Sequence, residues 1–276
     1  MIALLRMMRA LFLRGWYTML SYRFALYLRY VGVAFQLVLF YFTYQIFRDL
    51  QGGQMVHIAA AVNSNNYLDY AVTGGLAISL LSAATGSMMA DIRAGQVMGT
   101  LETILASPMS VALLLAANWT YTFTRAFVGL GIALFIFVWL MDFKWENMNF
   151  LTMIVAFIAM VVAFTPLGIL STGFTLAFKR GDPVAMVMGA LFAMFGGVVF
   201  PPSVLPTWLQ PVADYVPLFY ATTLIRESML KAATIAQVST ELMVLFGFGL
   251  VLFPISLWVF TWGLNKARKD GSLSQY

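Results

Sequence analysis

The 276-residue sequence has no cysteine and a single histidine, His57. The first absence removes disulfides, thiol catalysis and thiolate-bound metals; the second removes a histidine-rich metal centre. Charge is scarce as well. Asp, Glu, Lys and Arg together make up 10% of the chain, against about 25% in a typical globular protein. So little charge cannot cover a water-facing surface, so most of the surface is expected to face lipid. A phosphate loop of the form G-x-x-x-x-G-K-[S/T] is also missing, and none of the five lysines follows a glycine. ATP is therefore not bound by these residues in that way.

What is present is apolar. Hydrophobic residues make up 62% of the sequence and the mean hydropathy is +0.86. At about 20 apolar residues per crossing, this length admits roughly six to eight spanning helices. Apolar runs occur at 30–47, 70–90, 113–140, 150–177, 184–200 and 243–264, bounded by charge, proline or glycine. They are continuous and too long for the alternating strands of a lipid-embedded barrel, which leaves an all-α integral membrane protein with six transmembrane helices. The fifth run is close to the shortest length that crosses a bilayer.

The net charge of +5 resolves by side. Arg6, Arg9, Arg14, Arg23, Arg29, Arg93, Lys179, Arg180, Lys266, Arg268 and Lys269 border one face of the six spans. Only Arg48, Lys144, Arg226 and Lys231 border the other, and Arg125 lies inside a span. The positive-inside bias places both termini in the cytoplasm of a multi-pass protein of the inner or plasma membrane. No nucleic-acid partner is needed to explain the excess. The first 22 residues lack the compact apolar core and cleavage site of a signal peptide. Leu5, Met8, Phe12, Trp16 and Met19 recur at steps of three and four, which predicts a helix over 1–23. It either lies in the cytoplasmic interface, arginines toward headgroups, or packs against the bundle.

None of the six spans contains Asp or Glu, which argues against coupling to protons through a buried carboxylate. Arg125 follows Thr120, Thr122 and Thr124; it either snorkels to the interface or contacts substrate or a neighbouring subunit. Between the second and third spans, residues 91–110 turn polar. Gly95 and Gly99 loosen the chain there, and Leu101, Ile104 and Leu105 then share a face of a short helix that carries Glu102. Ser107-Pro108 follows, as an N-cap with proline at the first helical position. Such a helix suits either a groove on a partner or a corner lying on the membrane.

Gly99, Thr100, Leu101, Glu102, Ser107 and Pro108 resemble the cytoplasmic loop of ATP-binding-cassette permeases of the second type, the ABC-2 exporter class. The resemblance implies a coupling helix, including Ile104 and Leu105, fitted into a cleft of a separate ATPase subunit. It implies two copies of that ATPase, which bind ATP and Mg while this chain holds no cofactor, metal or catalytic residue. It also implies a homodimer whose second and fifth spans line the pathway. Candidate pathway residues are Gln36, Ser79, Ser82, Met188, Phe192 and Phe195. Gln36 and the small residues of the second span also suit plain helix packing, and Met and Phe also suit lipid contact.

Five of the nine prolines fall between 201 and 217. Residues 200–230 are too apolar for a free loop and too broken for a straight span, which predicts short re-entrant helices in the outer leaflet. Pro201, Pro202, Trp208 and Tyr215 are the candidate external gate, with a structural cap as the other reading. The whole, 1–276, reads as one transmembrane domain: the permease of an ATP-driven exporter of a hydrophobic or amphipathic substrate. An ATP-independent secondary transporter or channel is the alternative. A lipid enzyme is poorly served, because His57 alone supplies no acid–base or metal cluster.

Overall fold

The computed structural model describes residues 67–97, 111–141, 148–178 and 183–269, together with scattered positions between 9 and 42. Side chains are described for most of these. Among the described residues there is no β-strand. Seven helices with defined bounds follow in order: α1 (Tyr67–Val97), α2 (Val111–Met141), α3 (Phe150–Phe178), α4 (Pro183–Phe195), α5 (Gln210–Ala213), α6 (Pro217–Leu230) and α7 (Ser239–Lys269). A 3₁₀ turn, Pro202–Val204, lies between α4 and α5. The described positions between 9 and 42 are helical as well. The predicted coupling residues from Gly99 to Pro108, and Gln36, lie outside the described residues.

Local chemistry sets several helix starts. Asn149 caps α3: its side-chain oxygen accepts the Thr152 N–H at 3.1 Å. Its own N–H donates to the Ser228 carbonyl at 2.9 Å, tying the start of α3 to α6. Proline opens α4 and α6 at the first helical position, where the missing N–H costs no intrahelical bond. Lys266, Arg268 and Lys269 fill the last turn of α7, where cations complement the helix dipole.

α3 is the central helix and packs against α1, α6 and α7, most extensively against α7. Its inward face is small: Ala156, Ala159, Ala163, Gly168, Ser171, Thr172 and Gly173 are all buried. Small residues let helix backbones approach, which is how helices associate when lipid removes the hydrophobic gain from packing. At Gly173 and Gly263 the backbones of α3 and α7 touch, and a β-carbon on Gly263 would collide with the Gly173 carbonyl oxygen. Gly249 solves a different problem. Pro166 has no N–H to give the Val162 carbonyl one turn earlier, so that oxygen loses its helical donor. Gly249 brings α7 over it; a β-carbon there would lie 2.8 Å from the Val162 oxygen.

Several buried hydroxyls are satisfied within their own helices. Thr73 donates to the Asp69 carbonyl at 2.7 Å, Thr172 to Gly168 at 2.7 Å, and Ser228 to Ile225 at 3.0 Å. Many large apolar side chains point outward instead: Met186, Leu250, Trp258 and Phe24 are among the most exposed of the described large apolar residues. A surface of that kind belongs in lipid.

Among the described residues, α3 and α7 are the two helices long and apolar enough to cross a bilayer. α1 and α2 have 31 residues each, about 46 Å of helix. The fifth apolar run departs from expectation. α4 has 13 residues, about 20 Å, and ends at Phe195, so 184–200 is not a single straight helix. Gly196 and Gly197 form a turn, and Gly197 has φ +65°, a left-handed conformation open to glycine at no steric cost.

Candidate functional site

The end of the bundle where α1 and α3 begin is closed by residues 196–230. Its hub is Arg226 on α6. The Arg226 guanidinium carbon lies 3.4 Å from the centre of the Tyr70 ring on α1. One terminal nitrogen donates to the Gly197 carbonyl at 2.6 Å and to the Tyr70 carbonyl at 3.2 Å. The side chain therefore ties three segments together: the start of α1, the turn after α4, and α6. Thr222, one turn before Arg226, adds a second tie by donating to the Gly196 carbonyl at 2.8 Å.

The turn is held from all sides. A β-carbon on Gly197 would lie 3.4 Å from the Pro202 ring, 3.5 Å from the Tyr70 hydroxyl and 3.7 Å from the Arg226 guanidinium. Gly74 on α1 rests against the Val198 backbone so closely that a β-carbon would collide with the Val198 carbonyl. No carboxylate pairs with Arg226: among the described residues the one ion pair is Lys231 with Glu227, at 2.6 Å. Two carbonyl dipoles and a ring face take the place of a counter-ion, and the Arg226 Nε has no hydrogen-bond partner among the described residues.

The four predicted gate residues separate into two pairs. Pro201 and Pro202 are buried, with Pro202 against Gly197. Trp208 and Tyr215 point away from the bundle, 75% and 78% exposed. Between the pairs, the Gln210 amide donates to the Ser203 and Leu205 carbonyls at 3.1 and 2.9 Å, fastening the 3₁₀ turn. The Tyr220 hydroxyl donates to the Asp214 carbonyl at 3.0 Å. The segment is thus a folded element with an inner proline face and an outer aromatic face.

The predicted pathway residues also divide. Ser79 and Ser82 lie on an exposed face of α1, with Gly86 one turn further on. The Ser79 hydroxyl donates back to the Leu76 carbonyl at 2.8 Å. Phe192 and Phe195 are buried in the core, and Met188 is half-buried against it. The exposed side of α4 is instead formed by Met186, Val187, Leu191 and Met194. Elsewhere, Arg125 lies back over Tyr121 one turn earlier on α2, 5.4 Å from the ring centre. Phe12 meets the same ring edge-on at 6.3 Å, and Gly15 abuts it, so this part of the N-terminal helix packs on α2.

The family model described as ABC-2 type transporter matches residues 7–230. The chain belongs to the ABC-2 type transporter family. Membership makes it a membrane permease subunit of an ABC transporter, with an ABC ATPase as its partner. The match takes in residues 99–108 and ends where α6 ends, so the Arg226 hub lies inside the matched region. No curated protein matches the sequence.

From the sequence, Arg226 counts only among the four cations bordering the outer side of the spans, and Tyr70 and Gly197 carry no role. A signal was there. Arg226 follows Leu224-Ile225 in an otherwise largely apolar segment, and a Gly-Gly pair shortly before Pro201-Pro202 marks a turn that needs holding.

Proposed function

We propose that this chain is the membrane path of an ATP-driven exporter, acting as a homodimer with two copies of a separate ATPase. The observation that carries the reading is the family match over residues 7–230 in a sequence without a phosphate loop of its own. ATP and Mg bind to the partner. Closure of the ATPase dimer pushes on Leu101, Glu102, Ile104 and Leu105, and the motion passes along α1 and α2, which flank that segment. The positive-inside bias puts residues 99–108 and both termini in the cytoplasm and residues 200–230 outside.

On this reading 196–230 is the external gate. α4 is too short to cross alone, so the turn at Gly196–Gly197 sits below the outer surface and the proline segment returns over it. Breaking the Arg226 contacts to Gly197 and Tyr70 frees the turn to move. Ser79 and Ser82 contribute polar groups to the pathway and Met188 an apolar one; Phe192 and Phe195 support α4 from behind. An adaptable apolar wall suits a hydrophobic or amphipathic cargo. Affinity purification of the tagged chain from its own membranes tests the reading. Recovery of a phosphate-loop ATPase at about equal stoichiometry supports it; transport by liposomes holding this chain alone overturns it.

A further inference from the structure

The far end of α3 and α7 carries a cluster that the transport reading leaves unused. Phe174 and Phe178, one turn apart on α3, stack with ring centres 6.0 Å apart. Both meet Trp262 of α7, at 6.4 and 6.2 Å. One turn beyond Trp262, the Lys266 ammonium lies 4.7 Å from the centre of the Phe178 ring and 5.5 Å from that of Trp262. The touching backbones at Gly173 and Gly263 keep the two helices in contact just above.

This corner is open. Phe178 and Trp262 are 51% and 41% exposed. Among the described residues no carboxylate forms an ion pair with Lys266, and no atom accepts a hydrogen bond from its ammonium. An ammonium held on ring faces keeps its three N–H donors for an outside acceptor. Arg268 and Lys269 are exposed in the same last turn. In sequence, Lys179 and Arg180 follow Phe178, and the nearest acids are Asp182 and Asp270. Over these seven sequence positions, five cations less two acids give a net +3.

Leading away from Lys266, the exposed side of α7 is apolar. Val251, Ile255, Trp258 and Trp262 recur at steps of four, three and four, so they form one outward strip. Eleven residues of helix rise about 16 Å, close to half of a hydrocarbon core roughly 30 Å thick. A cation sits at one end of a strip as long as one leaflet. Charge and depth together match an amphipathic anion lying parallel to the helix.

We propose that this corner binds an anionic phospholipid. The phosphate is held by Lys266, with Arg268 and Lys269 adding attraction, and one acyl chain lies along Trp262, Trp258, Ile255 and Val251. A soluble partner reaches the cations but not a strip that runs into the bilayer. The bound lipid braces the α3–α7 contact. The site rests on membrane embedding alone and is independent of cargo, gate and ATPase.

Trp262 is its own reporter. The chain has seven tryptophans, so the signal is the difference between the full-length protein and its Trp262→Phe variant. Both are reconstituted in mixed phosphatidylglycerol–phosphatidylcholine vesicles in which one lipid or the other carries brominated, fluorescence-quenching acyl chains. The proposal expects brominated phosphatidylglycerol to quench the Trp262 signal as though enriched about five-fold over its mole fraction, a preference on the scale of one membrane-surface cation. Lys266→Gln removes the enrichment and Lys266→Arg keeps it. Equal quenching by the two lipids in the wild type overturns the proposal, as does an enrichment that survives in Lys266→Gln. Inorganic phosphate, added at tens of millimolar, leaves the enrichment unchanged if the ligand is a lipid. If phosphate abolishes it, the site binds the free anion and the lipid assignment fails.

Discussion

Arg226 of α6 lies over the ring of Tyr70 at the start of α1, 3.4 Å from its centre, while the same guanidinium holds the Gly197 carbonyl. One cation thereby joins three segments far apart in sequence. Arg226→Met keeps the stem and removes the donors. The Gly197 and Tyr70 carbonyls then lose a charged partner, which costs about 1–3 kcal/mol. The expected result is a lower unfolding temperature in detergent and faster protease cleavage within 196–216, with ATPase association intact. Arg226→Lys recovers only part of the loss, because one ammonium cannot both cover the ring and reach the carbonyls as the planar fork does.

Gly197 tests the same hub through the backbone. At φ +65° a side chain costs about 1–2 kcal/mol in the left-handed region, less for asparagine than for other residues. Gly197→Asn is expected to unfold near the wild-type temperature and Gly197→Val several degrees lower. Equal behaviour of the two variants, followed by thermal unfolding, would show that the turn does not hold this conformation.

The α3–α7 seam sorts glycines by contact. A β-carbon on Gly263 collides with the Gly173 backbone, whereas one on Gly247 meets nothing within 4 Å. Gly263→Val therefore forces the helices apart and is expected to abolish detergent-stable protein, since overpacking against rigid backbone costs at least about 1–3 kcal/mol. Gly247→Ala is neutral or stabilising by up to about 1 kcal/mol through helix propensity. Size-exclusion profiles and thermal unfolding of the pair make the comparison.

Orientation is directly measurable because the chain has no cysteine. Single cysteines at Trp208 and Tyr215, both exposed, are expected to react with a membrane-impermeant maleimide in intact cells. A cysteine at Ser107 is expected to react only after permeabilisation. The reverse pattern would invert the topology.

How much was legible beforehand follows from where the decisive physics lies. Composition and run length specify helices in lipid, and the runs at 70–90, 113–140, 150–177 and 243–264 fall inside α1, α2, α3 and α7. The run at 184–200 misled, because Val198, Val199 and Phe200 are as apolar as a helix interior, yet Gly196–Gly197 turns the chain before them. Hydropathy carries no information about a turn whose stability comes from Arg226, 29 residues away. The same limit applies to Phe192 and Phe195. Their chemistry suits a pathway wall or a core equally, and only the packing of α4 against α6 and α3 places them inside. Family-specific sequence, by contrast, was concentrated in a short polar stretch, Gly99 to Pro108, where few residue types satisfy the pattern.

The central claim is that a separate ATPase drives this chain through that stretch. The direct measurement is co-purification of the ATPase with Glu102→Arg and Leu105→Asp variants, set beside Arg226→Met. The account predicts that the first two lose the ATPase while remaining folded and monodisperse, and that Arg226→Met retains it. Retention of the ATPase by both Glu102→Arg and Leu105→Asp would contradict it.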